Sequence, residues 1–436
     1  MRWGGERNTM DTANIRCCAA GDALLIDRLA RGNAQMKEIS ERIRANDIAL
    51  VNVEATLHRC EPDVYPSRSS GGDWVFADPA VLDDLKWLGF NLFSAPNNHS
   101  LDWLHTGVVR TIEAFQRAGV VYAGIGMDLA EAEAPRYLST PNGRVAIVAL
   151  NLSYEDWHPA GEQRRDCQGR PGINYVGHQK TLGVPAGTYA ALCKLSEAYP
   201  EQVAREGDGR VRIGSLFFEE GGTQIRTEAD EGDVARLRRS IERARRQADV
   251  VLVSVHSHEN RDGDRNLPAA FEEALAHACI DFGASAYIGH GPHVVRGIEI
   301  YHGRPIFYSL GNFIYQCELI ERSPAEFYRK FAPFGPDACT ADVFDYREQN
   351  GGILGENDPD YFCSVLAEFA FDGDGNLSAL SARPLDLRLT APRSLKGTPA
   401  MAEGSLAGNV LDDLIAKSAA FGTKLVRQGN IAVLQL

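Results

Sequence analysis

The sequence has no Cys-x-x-Cys pair, no unbroken apolar run of about 18 residues and a shortage of positive charge. Each absence removes a class of protein. Without paired thiols there is no zinc ribbon or disulfide framework. Nine scattered cysteines, an odd number, read as reduced thiols of a cytoplasmic chain. The adjacent Cys17 and Cys18 read as small apolar residues of a first strand. Without a long apolar run no membrane span is expected, and "MRWGGERNTMDTANIRCC" at the N-terminus holds no apolar leader core. Lys and Arg number 45 against 59 Asp and Glu, a formal net charge of −14. Such a chain repels polyanions, which excludes nucleic acid as a partner. There is no internal repeat and no low-complexity tract.

What is present is an ordinary globular composition, 44% hydrophobic and 24% charged over 436 residues. Strand and helix patterns alternate along it. "IRCCAAGDALL" reads as a buried strand stopping at Gly21-Asp22, followed by "DIALVNVEATL", "NLFSA", "RVAIVALNLS", "DVVLVSVH" and "ASAYIGH". Helical spacing marks "DPAVLDDLKWLGF", "HTGVVRTIEAFQRAG", "DVARLRRSIERARRQA" and "LPAAFEEALAHACIDFG". "GIEIYHGRPIF" alternates around His302-Gly303 as a hairpin does. The alternation predicts one α/β domain over 1–436, mostly of parallel strands, with ligands at their carboxyl ends. Residues 154–232 break the rhythm, with one helix near "AGTYAALCKLSEAY". Residues 318–360 read as irregular, with Pro324, Pro333 and Pro336 and a Gly-rich stretch. Both are expected to be insertions that shape substrate access. Residues 362–436 are expected to be a C-terminal extension of strands and a terminal helix.

Polar groups gather where strands end. The first strand delivers Asp22, the second Asn52 and Glu54, and the third Asn97, Asn98, His99 and Asp102. Later strands deliver His256, His258 and Glu259, then His290 and His293. In an extended chain residues i and i+2 share a side, so Asn52 with Glu54, and His256 with His258, are able to converge. Each ending alone is ordinary turn or capping chemistry. Five of them in successive strands point to one site. Imidazole, carboxylate and amide oxygen without thiolate suit Zn²⁺, Mn²⁺ or Fe²⁺ in a hydrolytic role.

"GD" after the first strand, "NVE", "NNHSLD", the His closing "DVVLVSVH", "GHGPHVVRGIEIY" and "YSLGNF" together resemble the CapA family of poly-γ-glutamate capsule-synthesis proteins. The resemblance runs from about residue 17 to 316, apart from 154–232. The fold of that family is similar to the calcineurin-like metallophosphatases. It implies a four-layer α/β/β/α sandwich with a one- or two-metal site. By the resemblance, Asp22 is a ligand of the first metal, Glu54 the bridging carboxylate, and Asn98 and His256 hold the second metal. His290 and His293 divide between the two. His99 matches the acid or electrostatic stabiliser of metallophosphatases, and Asp102 orients it. Two departures leave the first position poor in ligands: Leu24 stands where those enzymes have His, and the bridging residue is Glu54 instead of Asp. Ser257-His258 replaces a common Trp-Gly, which makes His258 a replacement ligand or a substrate contact.

The chemistry so implied is hydrolysis by metal-activated water, with His99 giving a proton to the leaving group. The family naming points to an amide or γ-glutamyl-type peptide bond. A phosphoesterase and a non-catalytic component of capsule synthesis are the alternatives. The family's capsule role usually goes with an N-terminal anchor. None is read here, so a small amide, peptide or γ-glutamyl substrate is expected. His258, Asn52, Arg265 and Arg296 are the candidate substrate contacts. The arginines, with Arg261, either clamp a carboxylate or are solvated loop charges. Three other signals are set aside. "DGDGN" (372–376) lacks the Gly and Glu of a calcium loop and reads as a hairpin turn. "AGIGMD" lacks the third glycine of a dinucleotide fingerprint, and Ser309 lacks a nucleophile elbow.

Overall fold

The computed structural model describes residues 14–331, 334–351 and 357–435. Residues 1–13 of the stretch read for a leader, Pro333, and the Gly-rich stretch from 352 to 356 lie outside the described residues.

Side-chain alternation on the first strand, Ile15–Leu24, shows how the architecture arises. Ile15, Cys17 and Ala19 enter one apolar cluster, while Cys18 and Ala20 enter another. A strand that is apolar on both faces must be covered on both. Ile48–Val53 repeats the division, with Ile48 and Leu50 on one side and Ala49 and Val51 on the other. In a second sheet, Val145, Ile147, Val250 and Leu252 join the cluster of Ile15 and Leu50, and Val148, Leu150, Val251 and Val253 point away from it. The two sheets therefore stack face to face. Helices Ala34–Arg44, Val81–Leu88 and Leu104–Ala118 cover the outer face of the first sheet. Glu231–Arg245 and Ala270–Asp281 cover the second. This is the four-layer α/β/β/α sandwich expected from the sequence.

The first sheet runs, from one edge, Leu425–Gln428, Ile431–Leu434, Leu377–Asp386, Cys363–Phe371, Ile15–Leu24, Ile48–Val53, Leu92–Ser94 and Val121–Ala123. The second runs Ile298–Tyr301, Arg304–Phe307, Ala286–His290, Val250–His256, Gly143–Asn151 and Arg136–Thr140. The strands that carry motifs are parallel to their motif-bearing neighbours, so their carboxyl ends lie together. The hairpin at His302-Gly303 forms with both residues at positive φ, 48° and 74°, the type I′ pattern. Asp372–Asn376 is likewise a turn, in which Asp372 Oδ1 accepts the N–H groups of Asp374 and Asn376.

Several elements differ from expectation. The first strand does not stop at Asp22 but continues to Leu24 through a register shift. Residues 178–229 fold as a five-stranded sheet with helix Ala186–Ala198, where one helix was expected. The described residues of 318–360 hold helices Ala325–Phe331 and Thr340–Gln349, where no regular element was expected. The C-terminal extension is built into the sandwich, because Cys363–Phe371 pairs with Ile15–Leu24. Its helix Gly404–Ala419 sends Val410, Leu411 and Leu414 into the cluster between the sheets, and a hairpin follows it. Among the described residues no helix is long and apolar enough to cross a membrane.

Candidate metal centre

The register shift in Ile15–Leu24 sets Asp22 opposite both Asn52 and Asn312. Gly21 makes this possible: a Cβ there would lie 1.7 Å from the carbonyl oxygen of Gly311. The Asp22 N–H donates to that same oxygen at 3.1 Å. The Asp22 carboxylate accepts from Asn52 Nδ2 at 2.7 Å and from the Gly291 N–H at 2.8 Å. His256 and His290 are register partners at the ends of adjacent parallel strands, so their rings meet, with Nδ1 atoms 3.0 Å apart. These atoms lie 3.6 and 3.4 Å from Asp22 Oδ1. Ser254 Oγ contacts Nε2 of His290 at 2.9 Å. Asp22, His256 and His290 thus form one group, with ligand atoms within 4.8 Å of one another.

Glu54, His258 and His293 form a second group by the same measure. His293 adopts φ 59°, a left-handed conformation unusual for a side chain of this size. Its Nδ1 meets Asn312 Oδ1 at 2.8 Å, and its ring packs on Tyr361. His256 stands between the groups, its Nε2 2.9 Å from Asn98 Oδ1 and 3.6 Å from Glu54 Oε1. His99 Nε2 approaches Glu54 Oε1 at 3.9 Å, and His99 Nδ1 contacts Asp102 Oδ2 at 2.7 Å. Asp102 Oδ2 also accepts the Val75 N–H, which leaves it no freedom to turn from His99.

Burial and neighbouring charge polarise the two carboxylates in opposite directions. Burial raises the Asp22 pKa, but hydrogen bonds from His256 and His290 outweigh it and hold the group well below the ordinary range. Burial, then the charges of Asp22 and Asp102, push Glu54 well above it. Burial depresses His256 to about 4 against the pull of Asp22, and also depresses His258 and His293. All three imidazoles are therefore neutral near pH 7, the form that binds a metal. His99 goes the other way. Burial lowers it, but Asp102 more than compensates and raises its pKa.

The residues present fit a divalent metal. Both oxygens of Glu54 are fully buried and have no hydrogen-bond partner, and neither has Nε2 of His258. A native interior seldom leaves such groups unmatched. Here they converge with Asp22 on neutral imidazoles, a donor set with two carboxylates and no permanent cation of its own.

The structure brings Asp22, Glu54, Asn98, His99, Asp102, His256, His290 and His293 together. His258, expected as a replacement ligand or a substrate contact, lies among the ligand candidates. One expected substrate contact is corrected. Arg296 is fully buried, with its guanidinium committed inside the protein to Glu272 at 3.3 Å and to the carbonyl oxygens of Arg265 and Glu259, each at 2.9 Å. Asn52 directs its amide N–H at Asp22, while its buried Oδ1 has no hydrogen-bond partner. Arg265 is engaged by both oxygens of Asp358 and lies over the ring of Tyr361. Asn312 and Ser254, which hold His293 and His290, went unnoticed in the sequence. Asn312 sits in "YSLGNF", a motif read only as part of the family pattern, and Ser254 precedes His256 at the i, i+2 spacing that shares a face.

The sequence profile described as "Bacterial capsule synthesis protein PGA_cap" matches residues 16–316. The chain belongs to this family. Uncharacterized protein y4sH of Sinorhizobium fredii is 32% identical over 96% of this PGA_cap chain and 92% of its own length. Capsule biosynthesis protein CapA of Bacillus anthracis is 26% identical over 55% of this chain and 43% of its own. Among solved structures, the 5′-nucleotidase precursor of Thermus thermophilus aligns over 94% of this chain and 59% of its own, at 10% identity and a TM-score of 0.35.

Proposed function

We propose that this PGA_cap member is a metal-dependent hydrolase that acts on an amide or γ-glutamyl-type peptide bond. The observation that carries the reading is the unmatched, fully buried Glu54 carboxylate facing three neutral imidazoles. Asp22, His256 and His290 would hold one Mn²⁺ or Zn²⁺, and Glu54, His258 and His293 a second, with Asn98 beside both. A divalent ion supplies a bound water that ionises near neutral pH and a Lewis acid for the scissile carbonyl.

The protein's own groups account for the rest. An amine leaves an amide readily only when it departs protonated. His99 holds a proton at Nε2, because Asp102 takes up Nδ1–H and favours the imidazolium. His99 is thus suited to nitrogen departure. The site is closed to bulk water, with Asp22, Glu54 and His256 each fully buried, which strengthens every charge interaction within it. The family's association with capsule polymers of glutamate, itself an amide-linked chain, favours the same bond type.

The test is metal analysis of protein purified without chelator, followed by assay against γ-glutamyl peptides and aryl phosphates. Amine release from the γ-glutamyl peptides, abolished by EDTA and restored by Mn²⁺ or Zn²⁺, is the expected result. Phosphate release without amide cleavage would turn the assignment to a phosphoesterase. Protein that takes up neither metal would be a non-catalytic capsule component.

A further inference from the structure

We propose that the buried Glu272–Arg296 ion pair is a positioning element that fixes His258 against Glu54 and His293. The inference rests on the metal reading above. Both side chains are almost completely withdrawn from solvent, at 1% and 0% exposure. Taking two charges out of water is costly, and a buried pair of this kind gives little net stability compared with apolar side chains of the same volume. Its use has to be sought in what it holds.

It holds the two residues that flank His258. On one side, Ser257 Oγ donates to Glu272 Oε2 at 3.0 Å, and the Ser257 N–H donates to the carbonyl oxygen of His290 at 2.8 Å. On the other, Arg296 Nη2 donates to the carbonyl oxygen of Glu259 at 2.9 Å, while its Nε donates to that of Arg265. Tyr287, on the His290 strand, adds its hydroxyl to Glu272 Oε1 at 3.4 Å. Arg296 follows His293 by three residues. The pair therefore ties the turn after Val250–His256 to the turn after Ala286–His290, one donating His258 and the other His293. Without it, residues 257–259 keep the Ser257 N–H bond to His290, the His258 N–H bond to Ser153 Oγ, an Asn260 Nδ2 contact at the His258 carbonyl, and the Glu259 carboxylate's bonds to Ser153, His178 and Lys180, none of which reaches the His258 ring. The side chain of His258 makes no hydrogen bond at Nε2 that would orient it. Glu272 and Arg296 hydrogen-bond to Ser257, Tyr287 and the carbonyls of Glu259 and Arg265 and to no candidate ligand side chain, so they act through the residues beside His258.

Removing outer partners of metal ligands commonly weakens the metal by about 10–100-fold. The double variant Glu272→Met with Arg296→Met removes both charges while keeping volume, and is expected to fold with an unfolding midpoint close to that of the unmodified protein. Calorimetric titration of the metal-free protein with Mn²⁺ should then show the second equivalent weakened by about 10–100-fold and the first unchanged. His258→Ala should give the same loss, and combining it with the double variant should add nothing further. Arg296→Lys keeps a charge opposite Glu272 but cannot reach both carbonyl oxygens. It should weaken the second equivalent too, and it serves if the double variant does not fold. Unchanged Mn²⁺ affinities in a folded variant overturn the proposal while leaving the metal reading intact. Unmodified protein that binds neither Mn²⁺ nor Zn²⁺, titrated in the same way, overturns both.

Discussion

Glu54 concentrates the electrostatic tension of the site in one side chain. Its pKa is raised by burial and by Asp22 and Asp102, so stability present below its unfolded pKa is lost as pH rises through the folded value. Glu54→Gln removes that penalty. In EDTA near pH 8 the variant should unfold later than the unmodified chain, by about 1–3 kcal/mol, the cost of an uncompensated buried polar group. With saturating Mn²⁺ the order should reverse, because binding to the native state stabilises only the protein that retains the ligand. Thermal melts with and without metal measure both signs, and the same order in both would remove Glu54 from the metal site. His99 makes the opposite case. It donates to Asp102 and only approaches Glu54, at 3.9 Å. His99→Ala should cut turnover by about 10²–10⁴-fold with metal content unchanged. Loss of metal in that variant would make His99 a ligand.

At the scale of elements, the close crossing of Ile15–Leu24 and the 309–312 turn is what aims Asp22. Gly21→Ala drives a methyl group into the Gly311 carbonyl oxygen, a backbone atom that cannot swing aside. The expected cost is about 3 kcal/mol or more, read from urea unfolding, with metal uptake lost even where the protein still folds. Gly32→Ala, with nothing within 4 Å, is the matched control and should be neutral within about 0.5 kcal/mol. The strand ends were legible in the sequence because a strand's apolar run and the polar residues closing it are neighbours along the chain. Asp22, Glu54, His99, His256, His290 and His293 all announced themselves in this way. Arg296 did not, although it stands in the apolar run "HVVRGIEI", where an arginine must either break the run or be buried with a partner. That partner, Glu272, lies on a different element, and sequence spacing carries no sign of it. The sheet over 178–229 was hidden for a related reason. Its strands are short and mostly half-buried, so no face repeats with a clean period of two.

For the whole molecule, the family profile and the fold divide the chain differently. The profile ends at residue 316, yet Ile15–Leu24 is flanked along Ile15–Ala19 by Cys363–Phe371. Val365, Ala367 and Phe369 also belong to the cluster between the sheets. A fragment of residues 14–316 would leave Ile15–Ala19 as an unpaired edge beside an opened core, the arrangement that invites association between chains. It should be recovered aggregated, whereas the full chain should elute as a defined species in size-exclusion chromatography. A soluble, metal-binding 14–316 fragment would show that the C-terminal strands are dispensable.

The pairing of Ile15–Leu24 with Cys363–Phe371 also sets a timetable. At about 5–20 residues per second, a ribosome needs roughly 20–70 s to add the stretch that separates these two strands. Throughout that interval the earliest hydrophobic segment has emerged without its neighbour. The partners of Asp22, which are Asn52, Gly291, Gly311 and Asn312, are all made before Cys363–Phe371, so its surroundings can assemble while the Ile15–Ala19 flank is still uncovered.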